Sequence, residues 1–297
     1  ASDQQIVWSC CGPWLASYEM VKVKITHGTN SIEHDLNRDQ SLILSLEAIC
    51  LALSIPDNAA EYVLQNTANN HYLTQPDLAN ANFVIPNGAT FVLKTNPKVA
   101  ATRAVEALRD PKKSKLTVFD LQKTTLLDGA FSQAFIEANG LPELCRYVLE
   151  NQGGALGHGL RAIHLTVKHN TGWESAITEQ FLTQIFPNIS STNLNVCRSA
   201  LEVATSVAQS STLGFPVADR CIRASTNDGR PYNNVVAALN STDVSVQAAG
   251  LSFLNALYTT CPDSQQTLLL DQTLLDLGHD KALKKIVKQL QDENLKL

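Results

Sequence analysis

Three histidines, His158, His164 and His169, follow a His-x5-His-x4-His spacing, and clustered imidazoles are a common start of a metal site. On a helix, however, His158 and His169 stand three turns apart, too far to share one ion. The adjoining Gly153-Gly154-Ala155-Leu156-Gly157-His158-Gly159 has enough glycine to suggest a phosphate cradle. It follows a helical pattern instead of a strand and lacks a Gly-Lys-Ser/Thr ending, so it reads as a flexible loop between helices. No Gly-x-Ser-x-Gly elbow and no His-Glu-x-x-His run occur, and the carboxylates are scattered. The seven cysteines (Cys10, Cys11, Cys50, Cys145, Cys197, Cys221, Cys261) form no Cys-x-x-Cys pair. Several fall on apolar helix faces, where cysteine acts as a small hydrophobe, and the pattern fits a reducing cytosol. Chemistry of this kind argues against an enzyme and implies no metal or cofactor.

The elements that would position such groups carry more information. From Pro231 to Leu251 a short helix ends in an apolar pair, breaks at Ser241-Thr242-Asp243, and restarts behind a capping residue, Thr242 or Asp243. Val246, Ala249, Leu251, Phe253, Leu254 and Leu257 then recur at three- and four-residue steps, most of them on one face. Cys261-Pro262-Asp263 ends the run. A second copy (Ile185, Ile189, Ser191-Thr192, Val196, Leu201, Val207) lies 50 residues upstream of Val235, Leu239, Ser241-Thr242, Val246, Leu251 and Leu257. A weaker third copy runs from Asn139 through Leu144 to Leu160, Ile163 and Val167, with Gly140 suited to a helix C-cap and Pro142 to a first turn. This period fits an armadillo- or HEAT-like array, whose units cannot bury their apolar faces alone; an irregular helical domain is the alternative.

Before residue 97 the grammar differs. Met20 to Thr26 alternates like a half-buried strand, His27-Gly28-Thr29-Asn30 is a turn, and Ser31 to Leu36 completes a hairpin. Ser41 caps a helix over 42–53 with Leu42, Leu46, Ile49 and Leu53 on one face. Tyr62-Val63-Leu64, Tyr72-Leu73 and Phe91-Val92-Leu93 are further short strands, the last behind the turn dipeptide Asn87-Gly88. That order is the order of a ubiquitin-like (β-grasp) roll, with a generic small α+β domain as the alternative. The fold class is therefore α+β followed by all-α: an extension over 1–18, a ubiquitin-like domain over 19–96, and an armadillo-like helical solenoid over 97–297, hinged at Asn96-Pro97.

The net charge of −5 provides no field for nucleic acid. Lys112-Lys113-Ser114-Lys115 reads as a solvated loop, and Lys281, Lys284, Lys285 and Lys288 line one side of the last helix. No apolar run approaches a bilayer-spanning length, and Ile6 to Leu15 is not a convincing signal peptide. The start at Ala1 and the stop inside a charged helix are what a piece of a longer chain is expected to show.

The pairing of these two parts resembles the N-terminal half of the engulfment and cell motility (ELMO) family. The matching stretches are Tyr72-Leu73-Thr74, Asn87 to Pro97, Phe131 to Leu141, and Val236 to Pro262. The N-terminal GTPase-binding region of formins is similar in layout. The resemblance implies a non-enzymatic adaptor whose ubiquitin-like part is a Ras-binding domain for GTP-bound small GTPases. The armadillo part serves protein binding and autoinhibition. Dock-type exchange factors, Rac activation and actin remodelling are engaged through regions outside this chain. It also implies a cytoplasmic protein that a GTPase can bring to the plasma membrane. A Ras-binding roll meets a GTPase through its second strand, which here is Ser31 to Leu36. Lys22, Lys24, His27, Ser31, Ile32, His34, Leu36 and Arg38 are its expected contacts, Lys22 and Lys24 sharing one strand face. A generic armadillo scaffold holding an extended peptide is the third reading.

Overall fold

The computed structural model describes residues 20–294 apart from 57, 81, 124–127, 169–170, 212 and 227–228. The extension over 1–18, with Cys10, Cys11 and the Ile6–Leu15 run, lies outside the described residues, as does His169. The chain divides into two compact units, Ala1–Asn96 and Pro97–Leu297.

In the first unit, strands β1 (Met20–His27), β2 (Asn30–Asn37), β3 (Tyr62–Asn66) and β4 (Ala89–Thr95) form one sheet in the order β2-β1-β4-β3. β1 runs antiparallel to β2 and parallel to β4, and β3 runs antiparallel to β4. Alternation sets the faces: Val23 and Ile25 turn inward while Lys22 and Lys24 turn outward. The inward residues pack with Leu36, Leu64, Phe91 and Leu93 against Leu42, Leu46 and Ile49 of helix α1 (Leu42–Ala52). Two local expectations are corrected here. Tyr72-Leu73 is no strand but a single bridge from Tyr72 to Gln65, after a turn with Asn70 in the left-handed region. Ser41 gives no side-chain cap to α1; the Gln75 side chain accepts from the first-turn Leu42 amide at 2.6 Å. Gln75 opens the short helix α2 (Gln75–Ala79), which a Thr74–Asp77 capping box holds in place.

The second unit is helical among its described residues. Its helices are α3 (Pro97–Arg109), α4 (Ser114–Lys123), α5 (Gly129–Glu137), α6 (Gly140–Glu150), α7 (Gly153–Val167), α8 (Glu179–Ile185), α9 (Leu194–Gln209), α10 (Gly214–Ala224), α11 (Asn233–Leu239), α12 (Val244–Thr260), α13 (Ser264–Asp276) and α14 (His279–Asn294). The three long helices α7, α9 and α12 lie side by side in sequence order, each preceded by a short element: α6, α8 with a 3-10 turn over Phe186–Ser190, and α11. The break residues work as capping predicts. The Asp243 carboxylate accepts from the Ser245 and Val246 amides at the start of α12, and Asn193 does the same for Asn195 and Val196 at the start of α9. One continuous core fills the stack, with Leu160, Ile163, Leu201, Val207, Phe253 and Leu257 essentially fully buried.

Glycine explains two further corrections. The run from Gly153 to Gly159 is the start of α7, not a loop. A Cβ at Gly159 would stand 2.7 Å from Val148 Cγ2 and 3.1 Å from the Tyr147 ring, so glycine lets α6 and α7 close on each other. At the α5–α6 corner the left-handed residue is Asn139 (φ 60°), not Gly140. Gly140 lacks a side chain because a Cβ there would meet the Phe135 ring at 2.4 Å.

Gly159→Ala is expected to destabilise the helical unit by about 1–3 kcal/mol through overpacking, although alanine at a free helical site would stabilise by about 1 kcal/mol. Urea unfolding monitored by circular dichroism decides the sign, and a stabilised variant would contradict the close approach. Asn193→Ala is expected to lose about 1 kcal/mol in the same assay by removing the α9 cap.

Candidate functional site

Two surfaces have the geometry of a binding site, one in each unit. In the first unit β2 is an edge strand, and among the described residues the backbone bond on its outer side is at its end, where the Gln40 amide donates to Asn37 O at 3.2 Å. The opposite edge is different: beyond β3, the Asn66 amide donates to His71 O at 2.8 Å and the Leu73 amide to Leu64 O at 2.8 Å. β2 thus presents the free alternating donors and acceptors that allow strand addition.

The expected contact residues fall into separate groups around this edge. Lys22, Lys24 and Ser31 are exposed on the outer face, where Lys22 stands opposite Asp35 and Lys24 opposite Glu33. That face is therefore an alternating pattern of both signs, not a basic patch. Leu36 is fully buried in the core and has no side-chain surface to offer. Ile32 packs partly against that core. His34 is half-buried on the same inner face, and burial pushes its pKa below the ordinary imidazole value against a weaker opposing pull from Asp35. His27 Nδ1 lies 3.1 Å from Leu93 O, so that nitrogen carries the proton and donates. The Arg38 guanidinium donates to Phe83 O, tying the end of β2 to the loop before β4.

The second surface is a cleft of about 660 Å³ walled by α7, α9 and α12. Buried Trp173 contributes to its lining. From α7, His164 Nδ1 lies 3.2 Å from Glu202 O and 3.3 Å from Ser206 Oγ on α9. The Arg161 guanidinium binds the Glu202 carboxylate at 2.7 Å. Arg198 of α9 lines the same cleft, and among the described residues its buried Nε has no hydrogen-bond partner. α12 contributes only small residues there, including Ser245, Ala248 and Ser252. Burial is the main force holding the His164 pKa below its usual value; Arg161 and Lys168 add to it and Glu202 opposes it.

The remaining chemistry-bearing groups are dispersed. The exposed His158 ring meets Phe119 edge-on at 5.4 Å, whereas His164 faces α9. Among the described residues no group of three or more His, Cys, Asp or Glu is placed to hold a metal. Cys50, Cys145, Cys197 and Cys221 are buried free thiols, and burial pushes the Cys145 thiol up to about 12. Among the described residues no helix is long and apolar enough to cross a membrane.

Residues 130–292 match the family described as ELMO, armadillo-like helical domain. The chain belongs to the ELMO family. Its armadillo-like domain is a protein-binding scaffold, in keeping with the stacked helices α7, α9 and α12. Two proteins of Dictyostelium discoideum are also similar in sequence. Formin-G is 25% identical over 291 residues, covering 94% of this chain and 27% of formin-G. Formin-C is 23% identical over 264 residues, covering 86% of this chain and 22% of formin-C. The chain therefore spans about a quarter of the length of these relatives. Among solved structures, an engineered protein superposes with a TM-score of 0.48 at 20% identity, over 63% of this chain and 71% of that one. A designed armadillo repeat protein in complex with the peptide (KR)4 gives 0.46 at 15% identity, over 63% and 74%.

The pKa of His164 predicts an acid-sensitive step. A folded-state pKa below the ordinary 6.5 means that the unfolded chain binds the proton first as pH falls. The stabilisation is complete above about 6.5 and is lost as pH drops through the folded value. Urea unfolding of the helical unit between pH 7.5 and 5 should show a smaller pH dependence in His164→Gln than in the parent chain. Equal slopes would contradict the buried neutral imidazole.

Proposed function

We propose that this chain is the GTPase-sensing part of a non-enzymatic signalling adaptor. Its first unit is read as a ubiquitin-like Ras-binding domain for a GTP-bound small GTPase of the Ras, Rho or Arf type. The open outer edge of β2 is the observation that carries this reading. The sheet order with a central parallel pair and one helix across a face supports the β-grasp assignment. Main-chain pairing with β2 supplies the affinity, and Lys22 and Lys24, interleaved with Asp35 and Glu33, meet complementary charges of the partner and set partner choice. The armadillo-like unit binds protein and contributes to autoinhibition. Dock-type exchange factors, and with them Rac activation, actin remodelling, cell motility and phagocytosis, are reached through regions outside this chain. In this reading the protein works in the cytoplasm and is drawn to the plasma membrane by its GTPase.

Similarity over 94% and 86% of the chain to formin-G and formin-C favours a second reading, a formin-type autoregulatory module that also binds a Rho-family GTPase. A downstream PH domain in the parent gene supports the first reading, and an actin-assembling formin-homology domain supports the second.

Calorimetric titration against GTP-analogue- and GDP-loaded GTPases tests the common claim. A clear preference for the GTP form is expected, and indifference to the nucleotide across all three classes would contradict it. The variant must respect the register. Reversing Lys22 or Lys24 would place like charges opposite Asp35 and Glu33, which itself destabilises the hairpin. Lys22→Gln with Lys24→Gln avoids this and is expected to weaken binding roughly tenfold, about 1.4 kcal/mol, with an unchanged circular dichroism spectrum. Unchanged affinity would remove both lysines from the site.

A further inference from the structure

We propose that the cleft between α7, α9 and α12 receives the carboxylate side chain of an extended segment of a partner protein, with Arg198 as its anchoring cation. The proposal rests on the protein-binding reading of the armadillo-like unit and adds the chemistry of what is bound.

The starting observation is Arg198, which lines the cleft and whose Nε is sealed by the protein with no hydrogen-bond partner among the described residues, so its terminal Nη groups are the part a ligand can reach. A guanidinium stays charged at every relevant pH, and leaving a buried donor unmade is unfavourable. Five other arginines of this unit are paired with acids. Arg109 and Arg146 hold Glu143, Arg161 holds Glu202, Arg220 holds Glu179 and Arg223 holds Asp219.

The acids around Arg198 are otherwise engaged. Glu202 is bound by Arg161 at 2.7 Å, and Glu174 accepts from the Ser210 hydroxyl at 3.5 Å. Asp243 feels the charge of Arg198, but its Oδ1 caps α12 through the Ser245 and Val246 amides. Glu202 is neutralised by Arg161, and among the described residues Arg198 has no acid within ion-pair distance. A planar two-pronged anion such as a carboxylate matches the guanidinium fork.

The rest of the lining suits unpaired main chain, not a helix. Thr205 Oγ1 donates to Leu201 O at 2.8 Å and Ser206 Oγ to Glu202 O at 3.2 Å. Their hydroxyl protons are thus spent on α9, and their lone pairs remain to accept N–H groups from a bound segment. Across the cleft, Ser245, Ala248 and Ser252 share one face of α12 at three- and four-residue spacing, and their short side chains let a backbone lie close. A bound helix satisfies its own amides and gains nothing from such acceptors; an extended segment does. The volume of about 660 Å³ lies within the usual range of ligand sites.

Pooled random octapeptides with one fixed central residue, titrated against the full chain by fluorescence anisotropy, test this directly. Pools fixed as Asp or Glu should bind at least fivefold tighter than pools fixed as Asn or Gln. That advantage should vanish in Arg198→Gln and survive in part in Arg198→Lys. Arg198→Gln should unfold in urea at a midpoint no lower than the parent chain, because it removes an unpaired buried donor. Binding of the pools without an acid preference, a preference for Lys pools, an advantage seen only with phosphoserine, or an acid preference unchanged in Arg198→Gln would each overturn the carboxylate assignment alone. A clearly lowered midpoint would overturn it too, by giving Arg198 a structural role. If no pool binds the parent chain at all, the protein-binding reading of the cleft falls with it.

Discussion

Each long helix of the second unit can bury its apolar face only against the next long helix. α7 has α9, α9 has α7 and α12, and the caps Asn193 and Asp243 fix where each begins. The rest follows from that dependence. Because the helices are held side by side, residues some 38 to 42 positions apart come into register, as His164 and Arg161 do with Glu202 and Ser206. Close approach in turn demands glycine where side chains collide, hence Gly159 against Val148 and Tyr147. The same parallel stacking leaves a cleft along one side, lined by the residues that do not enter the core. A recognition surface is thus a by-product of how the core is completed.

The first unit meets a comparable constraint in a sheet. β1 and β4 are paired on both sides, β3 is covered by the bridge to Tyr72, and β2 is left with one open edge. Open edges invite pairing with other chains, and charged residues are a common protection. Here Glu33 and Asp35 alternate along β2 opposite Lys24 and Lys22. These charges keep the hairpin face hydrated without covering the backbone edge itself. Side chains such as Leu36, which the strand pattern marks as part of the edge, belong to the core and act only by holding β2 flat.

The sequence made the repeat legible where the signals are local. The Ser-Thr-Asp break, the cap at Asp243 and the three- and four-residue spacing of Val246, Ala249 and Phe253 all act within one or two turns. The hairpin was legible for the same reason, since alternation from Met20 to Leu36 needs no knowledge of the rest of the chain. Glycine misled wherever its use is tertiary. The run from Gly153 to Gly159 has poor intrinsic helix propensity, yet packing against α6 makes it helical. Ser41 has the type and place of a cap yet makes no cap bond, and no local pattern reveals that Gln75, 33 positions away, accepts from the Leu42 amide. The cleft was the least visible feature. Arg198, His164 and Ser252 carry no shared motif, and only the stacking of three separate helices brings them to one place. The nearest signal was the run of small residues Ser245, Ala248 and Ser252 at three- and four-residue spacing along α12.

Hydrogen–deuterium exchange on the full chain, with and without a GTP-analogue-loaded GTPase, tests most directly whether recognition begins at the open strand. Exchange at the amides of residues 30–37 is expected to slow in the complex and to change little with the GDP-loaded form. Protection confined to the helical unit, with β2 exchanging as fast as in the free chain, would contradict it.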